Sequence, residues 1–539
     1  MGPNHVALDN VHSIDPRLMA SRNEPIGSSR GIHFYFFQQN SVKPLVPIEG
    51  FVTLRDAKTS HYHPINPSNE RAETGEGFSP PDGNRATMTG PQPDWERQLY
   101  EFLDASVPDP VLERGVLTIA DVLAAAVAGS AVGYNDRIGR VAEFADGHAS
   151  IIGGSRTTAP GQAALVNAAS AITQEIEEGH NTGGHVGAGL VTGGFALAEQ
   201  YDADGEAFVE AAVKAYEICV RIEHAIFAIK ERMNETLPWL VRDPHSTWTT
   251  IGPALTGALS MGLDRDQIRE TVRIAANLAV VSMHDPYEEG APARNYTAGF
   301  SAQAGVNAAL TAGAGLAGSR RALSAVYEPL GEVTDGTFEH EMAELGDVWE
   351  VQRNYFKLTP SCRYTHPPIG AIDEIRDEID PDTVESIDIY SFRNATDLDY
   401  ADPTNLTSAK FSIPYVVARS ILVGDLSLDD FSDTAIADER TRSLAGRVTI
   451  HFDPTYEEEF PDHWSARVEV THADGRTVSA ECIDPPGDFR RQPDRERLET
   501  LFHELLMQRF EADQATEALE AILDLRNRDV RTVGEMLMG

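Results

Sequence analysis

Lysine is almost missing from this chain. Six occur in 539 residues, at positions 43, 58, 214, 230, 357 and 410, and arginine carries the rest of the positive charge. Against 44 basic residues stand 84 acidic ones, a formal charge of −40. No basic stripe exists to follow a phosphate backbone, so nucleic acid is excluded as a partner. The three cysteines, Cys219, Cys362 and Cys482, lie too far apart for a metal-ligand spacing or a disulfide framework, which fits a reducing compartment. No apolar stretch is long and clean enough to cross a bilayer: the run over 116–134 is interrupted by Asp121 and rich in small residues, as in a buried helix. The first residues show neither the basic region nor the apolar core of a secretory leader, so a cytoplasmic location is expected. The acidic residues are spread evenly rather than gathered in a tail. An acidic, lysine-poor surface on a chain of ordinary hydrophobic content suits concentrated salt, where carboxylate repulsion is screened, and implies a halophile's cytoplasm.

Length favours more than one domain. Residues 1–90 show no hydrophobic period, and 61–95 are rich in Pro, Asn, Gly and charge, so this stretch reads as a disordered or spurious N-terminal extension. From Trp95 the pattern is helical. Phe208, Ala212, Ala215, Cys219, Ile222, Ile226 and Ile229 step by three and four along one face, and runs of Ala and Gly allow helices to approach closely. Beyond about residue 355 the period falls to two. Residues 387–389, 448–452 and 468–470 alternate as half-buried strands, 473–476 form a hairpin turn, and 407–423 read as a helix. Helical periodicity returns at 494–538. The expected architecture is mainly α: an all-helical large domain over 91–352, an inserted α+β lid over 353–488, and C-terminal helices over 489–539 that return to the helical domain.

One stretch carries most of the chemical information. Residues 171–200 place Glu175, Glu177, Glu178 and His180 within six positions, pass through Gly183 and Gly184 to His185, and open a small-residue helix. Crowded carboxylates beside a histidine suit proton transfer, and glycines admit a ligand to the backbone where a helix begins. His245 precedes another small-residue helix, and Arg294 lies in Ala293-Arg-Asn-Tyr. Lys357 is conspicuous in a chain that has discarded lysine. It sits where the helical region hands over to the α+β region, in Asn354-Tyr-Phe-Lys357-Leu-Thr-Pro-Ser-Cys362, with His366 just beyond.

Taken together, Gly153-Gly-Ser-Arg156, Glu175-Ile-Glu-Glu-Gly179, Gly184-His185, Ala196-Leu-Ala-Glu199, Lys357 with Pro360-Ser-Cys362 and His366, and Ala409-Lys-Phe-Ser-Ile-Pro-Tyr415 resemble the MmgE/PrpD family in order. That resemblance implies a helical domain with an α+β lid, a homodimer, and metal-free, cofactor-free proton chemistry on a small polycarboxylate. The family includes 2-methylcitrate dehydratases, cis-aconitate decarboxylases and iminodisuccinate epimerases. Carried over position by position, it implies catalytic roles for Glu175, His185, His245, Lys357 and Tyr415. It implies substrate contacts from Arg294, Cys362, His366 and Glu178. Two departures stand out. Glu occupies 175 and 177 where many members have Asp, and Arg294 replaces a lysine, keeping the charge but losing the ability to give up a proton. The expected activity is a 2-methylcitrate dehydratase-like hydro-lyase, with His185 as base and Glu175 as partner or alternate. Decarboxylation and epimerisation remain open, since a fold does not fix a reaction. A non-catalytic binding protein would explain the substitutions at 175 and 294, but not the retention of His185, Lys357 and His366.

Overall fold

The computed structural model describes residues 94–539, apart from 134, 183, 237–241, 244–247, 279–281, 284–288, 321 and 323–336. The expected N-terminal extension and His245 therefore lie outside the described residues.

The fold is mainly α. Helices α1 (Asp94–Phe102), α2 (Asp109–Ser130), α3 (Pro160–Ala171), α4 (Val186–Gln200), α5 (Gly205–Thr236), α6 (Trp248–Ser260), α7 (Arg265–Leu278) and α8 (Ala293–Gly313) build a bundle. The alanine- and glycine-rich composition acts here. A Cβ added at Gly193 would lie 2.5 Å from Pro253 on α6, and one at Gly305 only 2.4 Å from the carbonyl of Thr250, so these backbones meet where side chains would keep them apart. In α5 the stepped residues Phe208, Ala212, Ala215, Cys219 and Ile222 are buried, as their spacing predicts. Asp121, the break in the apolar run of α2, is itself buried and accepts a hydrogen bond of 2.5 Å from the backbone of Glu178.

The helical region is not wholly helical. Ala149–Ser150 pairs with Thr157–Thr158, and Arg242–Asp243 with Ser282–Met283, as short antiparallel ladders. Such two-residue pairings are too short to leave a periodic signal.

After α9 (His366–Ile375) comes a four-stranded sheet. Strand β1 (Val384–Ser391) lies between β2 (Val448–Phe452), which runs parallel to it, and β3 (Ala466–His472), which is antiparallel and turns through Gly475 into β4 (Thr477–Cys482). Gly475 has φ +83°, the left-handed conformation the hairpin requires. Between β1 and β2 the single helix expected over 407–423 is two, Leu406–Lys410 and α10 (Ile413–Val423). The break has a local cause. Pro414 cannot continue a helix from the preceding turn, and the Ser412 side chain caps α10 by accepting from the Tyr415 N–H at 3.0 Å. Two of the hydrophobic clusters among the described residues are large. Leu498, Phe502, Ile522 and Val533 of the last three helices, α11 (Arg495–Leu506), α12 (Ala512–Leu523) and α13 (Val530–Met536), share a core with α2, α4 and α5. Ile387, Ile389, Val468, Val470 and Cys482 of the sheet form another with Phe411, Ile413 and Val417. No helix among the described residues is long and apolar enough to cross a membrane.

Candidate active site

The site begins with a turn. After α3, Glu175 takes φ +50°, a left-handed conformation that a residue with a side chain adopts only at a cost of about 1–3 kcal/mol. The chain then pairs with a distant segment: Gly179 N–H donates to Tyr355 O at 3.2 Å, and Tyr355 N–H to Gly179 O at 2.8 Å. A side chain at Gly179 would strike the Tyr355 hydroxyl, 2.4 Å from where its Cβ would sit. His180 and Gly184 exchange backbone hydrogen bonds of 2.9 Å, closing a tight hairpin that delivers His185 to the start of α4. Because Tyr355 is held against Gly179, Lys357 two residues later reaches the same acidic turn.

Glu175 lies among cations. Its Oε2 accepts from Lys357 Nζ at 3.0 Å, and its Oε1 from Arg294 Nη1 in a close contact. Lys357 Nζ is also 4.0 Å from Glu177 Oε2. His185 Nδ1 is in close contact with Glu177 Oε1, while Nε2 is 2.9 Å from Arg294 Nη2 and 3.8 Å from Glu175 Oε2. These contacts define the tautomer. A guanidinium only donates, so Nε2 must accept, and the ring proton sits on Nδ1 facing Glu177. Lys357 and both carboxylates are buried, whereas the side chains of His185 and Arg294 are each 18% exposed, so the histidine and the arginine face whatever enters. Phe411, between Leu406–Lys410 and α10, lies under the guanidinium, its ring centroid 4.8 Å from the guanidinium carbon.

Electrostatics follow from this packing. Burial works to raise the Glu175 pKa, but Arg294 and Lys357 outweigh it and hold the carboxyl well below its usual range. For Lys357 burial works against the charge, and Glu175 and Glu177 overcome it, so the ammonium is kept.

Other expected site residues are placed differently. Glu178 is fully buried and saturated: Oε1 accepts from Gly187 N–H at 2.8 Å, and Oε2 from Tyr216 Oη and Asn354 Nδ2, each at 2.9 Å. It ties the hairpin to α4, α5 and the Lys357 segment and has no edge left for a substrate. Tyr415 is also turned elsewhere. Its hydroxyl donates to Asp430 O at 2.6 Å, its ring packs on Phe431, and the charges acting on it come from Arg419, Asp430 and Asp438. Cys362 and His366 lie close enough for Glu175 and Lys357 to act on them electrostatically. Burial, with Glu175 adding to it, pushes the Cys362 thiol up to about 12. Burial, aided by Arg363, holds His366 neutral, with Nε2 on the Ser361 carbonyl at 3.3 Å and Nδ1 on Arg363 at 3.4 Å.

Two participants were not anticipated from the sequence. Glu177 stood in the acidic cluster without a role, yet it is the group that orients His185. Lys410 is fully buried, with Nζ donating to Gln174 O at 2.9 Å and to Pro360 O at 2.8 Å, and with the Phe431 ring 4.2 Å away. It clamps the residue before Glu175 to the segment after Lys357. The scarcity of lysine that singled out Lys357 singles out Lys410 equally, and that signal was available. A cavity of about 360 Å³ beside Ile176, Leu358 and Pro360 includes none of Glu175, His185, Arg294 or Lys357 in its wall.

The donors of Glu175, Glu177 and His185 could converge on a metal ion. Arg294 already contacts Glu175, and Lys357 reaches both Glu175 and Glu177, so two cations face the two carboxylates there.

Buried carboxylates away from these cations behave oppositely. Burial raises Glu178 from 4.5 to about 7. A folded-state pKa above the unfolded value contributes stability that is complete below about pH 4.5 and is lost as pH rises through about 7. Glu217 and Glu199, raised by burial to about 7 and about 8, act in the same sense. Melting temperature should therefore fall between pH 5 and 8, and Glu178→Gln should make that fall shallower; an unchanged slope would refute the assignment.

Sequence comparison now meets this geometry. Residues 102–339 match the MmgE/PrpD N-terminal domain and residues 359–527 the MmgE/PrpD C-terminal domain. The chain belongs to the MmgE/PrpD family. Among relatives of this MmgE/PrpD protein, a cis-aconitate decarboxylase-like protein of Aspergillus oryzae is 24% identical over 443 residues, covering 76% of this chain and 88% of the relative. The cis-aconitate decarboxylase of Aspergillus terreus is 23% identical over 466 residues, covering 80% and 92%. A 2-methylcitrate dehydratase of Cupriavidus necator is 31% identical over 131 residues, 23% of this chain and 27% of that one. Decarboxylases and dehydratases are both lyases, and this family member's similarity to them supports a lyase-type function.

Proposed function

We propose that this protein is a lyase that removes a proton from the carbon next to a carboxylate of a small polycarboxylate, in the manner of a 2-methylcitrate dehydratase. The observation that carries the reading is the His185 tautomer: Nδ1–H is held by Glu177, and Nε2 presents its lone pair beside two fixed cations. A substrate carboxylate draws the half-open Arg294 away from His185, and Nε2 then takes the proton. Negative charge developing on the substrate carboxylate is held by Arg294 and Lys357. The electron pair left on carbon forms the double bond as hydroxide departs, and a proton from Lys357 or His245 completes water. Glu175, held ionised by its cations, is a weak base and is better suited to spacing Lys357 and Arg294.

Decarboxylation is the second reading, favoured by the near full-length match to cis-aconitate decarboxylases. Proton NMR of the protein in concentrated potassium chloride, with 2-methylcitrate, cis-aconitate, citrate and iminodisuccinate in turn, separates them. Loss of water from 2-methylcitrate supports the proposal; release of carbon dioxide from cis-aconitate replaces it with the second reading; no turnover of any of the four refutes both.

Homodimeric association and a cytoplasm rich in salt belong to the same proposal. With a formal charge of −40, melting temperature should rise between dilute buffer and molar potassium chloride as repulsion is screened. A flat or falling curve removes the halophilic part.

A further inference from the structure

A second group of chemically able side chains lies on the same hairpin as His185 and takes no part in the proposed reaction. One ring nitrogen each from His180 and His224 and one carboxylate oxygen of Glu350 lie within 4.8 Å of one another. His180 is on the hairpin, His224 on α5, and Glu350 on the short 3₁₀ turn Glu350–Arg353 that leads to Lys357. His180 Nε2 and Glu350 Oε2 are 3.2 Å apart. Two ligands about 2.0–2.1 Å from a tetrahedral ion stand about 3.4 Å apart, so this edge is already at the spacing an ion requires. Glu341 Oε2 lies 3.1 Å from His224 Nδ1, outside the three that share this spacing.

The surroundings are arranged for the same purpose. The Thr182 N–H donates to His180 Nδ1 at 3.4 Å and Thr182 Oγ1 lies 2.9 Å from it, so the ring proton sits on Nε2 facing Glu350, and an ion that enters takes the place of that proton. Glu350 divides its oxygens: Oε1 receives Arg221 and Arg353 at 3.2 and 3.3 Å, and Oε2 faces His180. Arg221 is further engaged by Glu217 at 3.0 Å and Glu344 at 3.1 Å. Apart from Glu217, which burial raises to about 7, three carboxylates, Glu341, Glu344 and Glu350, face two guanidiniums, an excess of negative charge that suits a divalent cation. The side chains of His224 and Glu341 are 20% and 17% exposed, which provides a way in.

The geometry points to a binding site for a divalent cation of the zinc class, held by His180, His224 and Glu350, that braces the His185 hairpin against α5 and the Lys357 segment. Two imidazole donors beside one carboxylate select zinc over magnesium or calcium, which prefer oxygen-only shells of higher coordination number. The ion is distinct from the proposed reaction and would act by rigidifying the site.

The test uses the full chain, stripped with a chelator and dialysed against zinc chloride. The expected result is about one zinc ion retained per chain, a melting temperature that rises with zinc, and an X-ray absorption spectrum showing imidazole scattering from a shell at about 2.0 Å. His224→Ala should weaken zinc binding by at least about tenfold and abolish the thermal shift, while His185→Gln should retain both. Failure to retain zinc, an oxygen-only shell, or loss of zinc in His185→Gln with retention in His224→Ala would each overturn the site. Should His224→Ala not fold, the absorption spectrum of the unaltered protein decides.

Discussion

His185→Gln should lower kcat by about 10²–10⁴, the usual contribution of a positioned general base, while leaving the fold and much of the substrate affinity intact. Glutamine retains an N–H for Glu177 but has no basic nitrogen, so what disappears is the lone pair that Arg294 now covers. Exchange of the substrate's abstracted proton with solvent deuterium, followed by NMR, should disappear with it. If exchange persists in His185→Gln and vanishes in Glu175→Gln, the carboxylate is the base and the two roles are reversed. That outcome would be surprising for a group that Arg294 and Lys357 keep so firmly ionised. If neither change affects exchange, the chemistry lies away from this turn.

Lys357→Met should act on both activity and stability. Loss of the charge-assisted contact that the ammonium would make with the substrate carboxylate, of a kind that contributes about 1.5–3 kcal/mol, predicts a fall in kcat/KM of at least about tenfold. Removing the ammonium also leaves Glu175 and Glu177 buried with less compensation. Breaking a buried pair from one side typically costs about 3–5 kcal/mol, so the melting temperature should drop as well. Lys357→Arg should rescue only in part, because a fully buried site shaped for a point charge does not suit a planar fork. Unchanged kcat/KM in Lys357→Met, with a lowered melting temperature, would make the lysine purely structural.

What could be read from the chain and what could not divide along physical lines. The stepped apolar positions of α5 and the alternation of 448–452 and 468–470 survive folding because each reports a face that the core must bury. The helix expected over 407–423 split because Pro414 and the Ser412 cap act over one turn, a scale at which an apolar run still looks continuous. Glu178 was grouped with Glu175 because both lie in one acidic cluster. Yet three residues of backbone, with Glu175 in the left-handed region, send one carboxylate among cations and the other into a saturated interior. Tyr415 sits beside Lys410 in one motif, but the cap at Ser412 aims its hydroxyl at Asp430.

By itself, the sequence determined the mainly α character, the helices packed through small residues, the presence of a β-containing part and the family, and it made Glu175, His185 and Lys357 stand out as residue types unusual in a bland or lysine-poor background. Those properties follow from composition and short-range periodicity, which any window of the chain displays. Only the tertiary structure decided which charges meet. Lys357 reaches Glu175 because Tyr355 pairs with Gly179 across 176 positions of chain, and Arg294 comes to the same carboxylate from α8. The roles of Glu177 and Lys410, and the convergence of His180, His224 and Glu350, depend in the same way on backbone pairings between distant segments. A side chain's chemistry is written in its type, but its pKa, tautomer and partner are set by neighbours that only folding supplies.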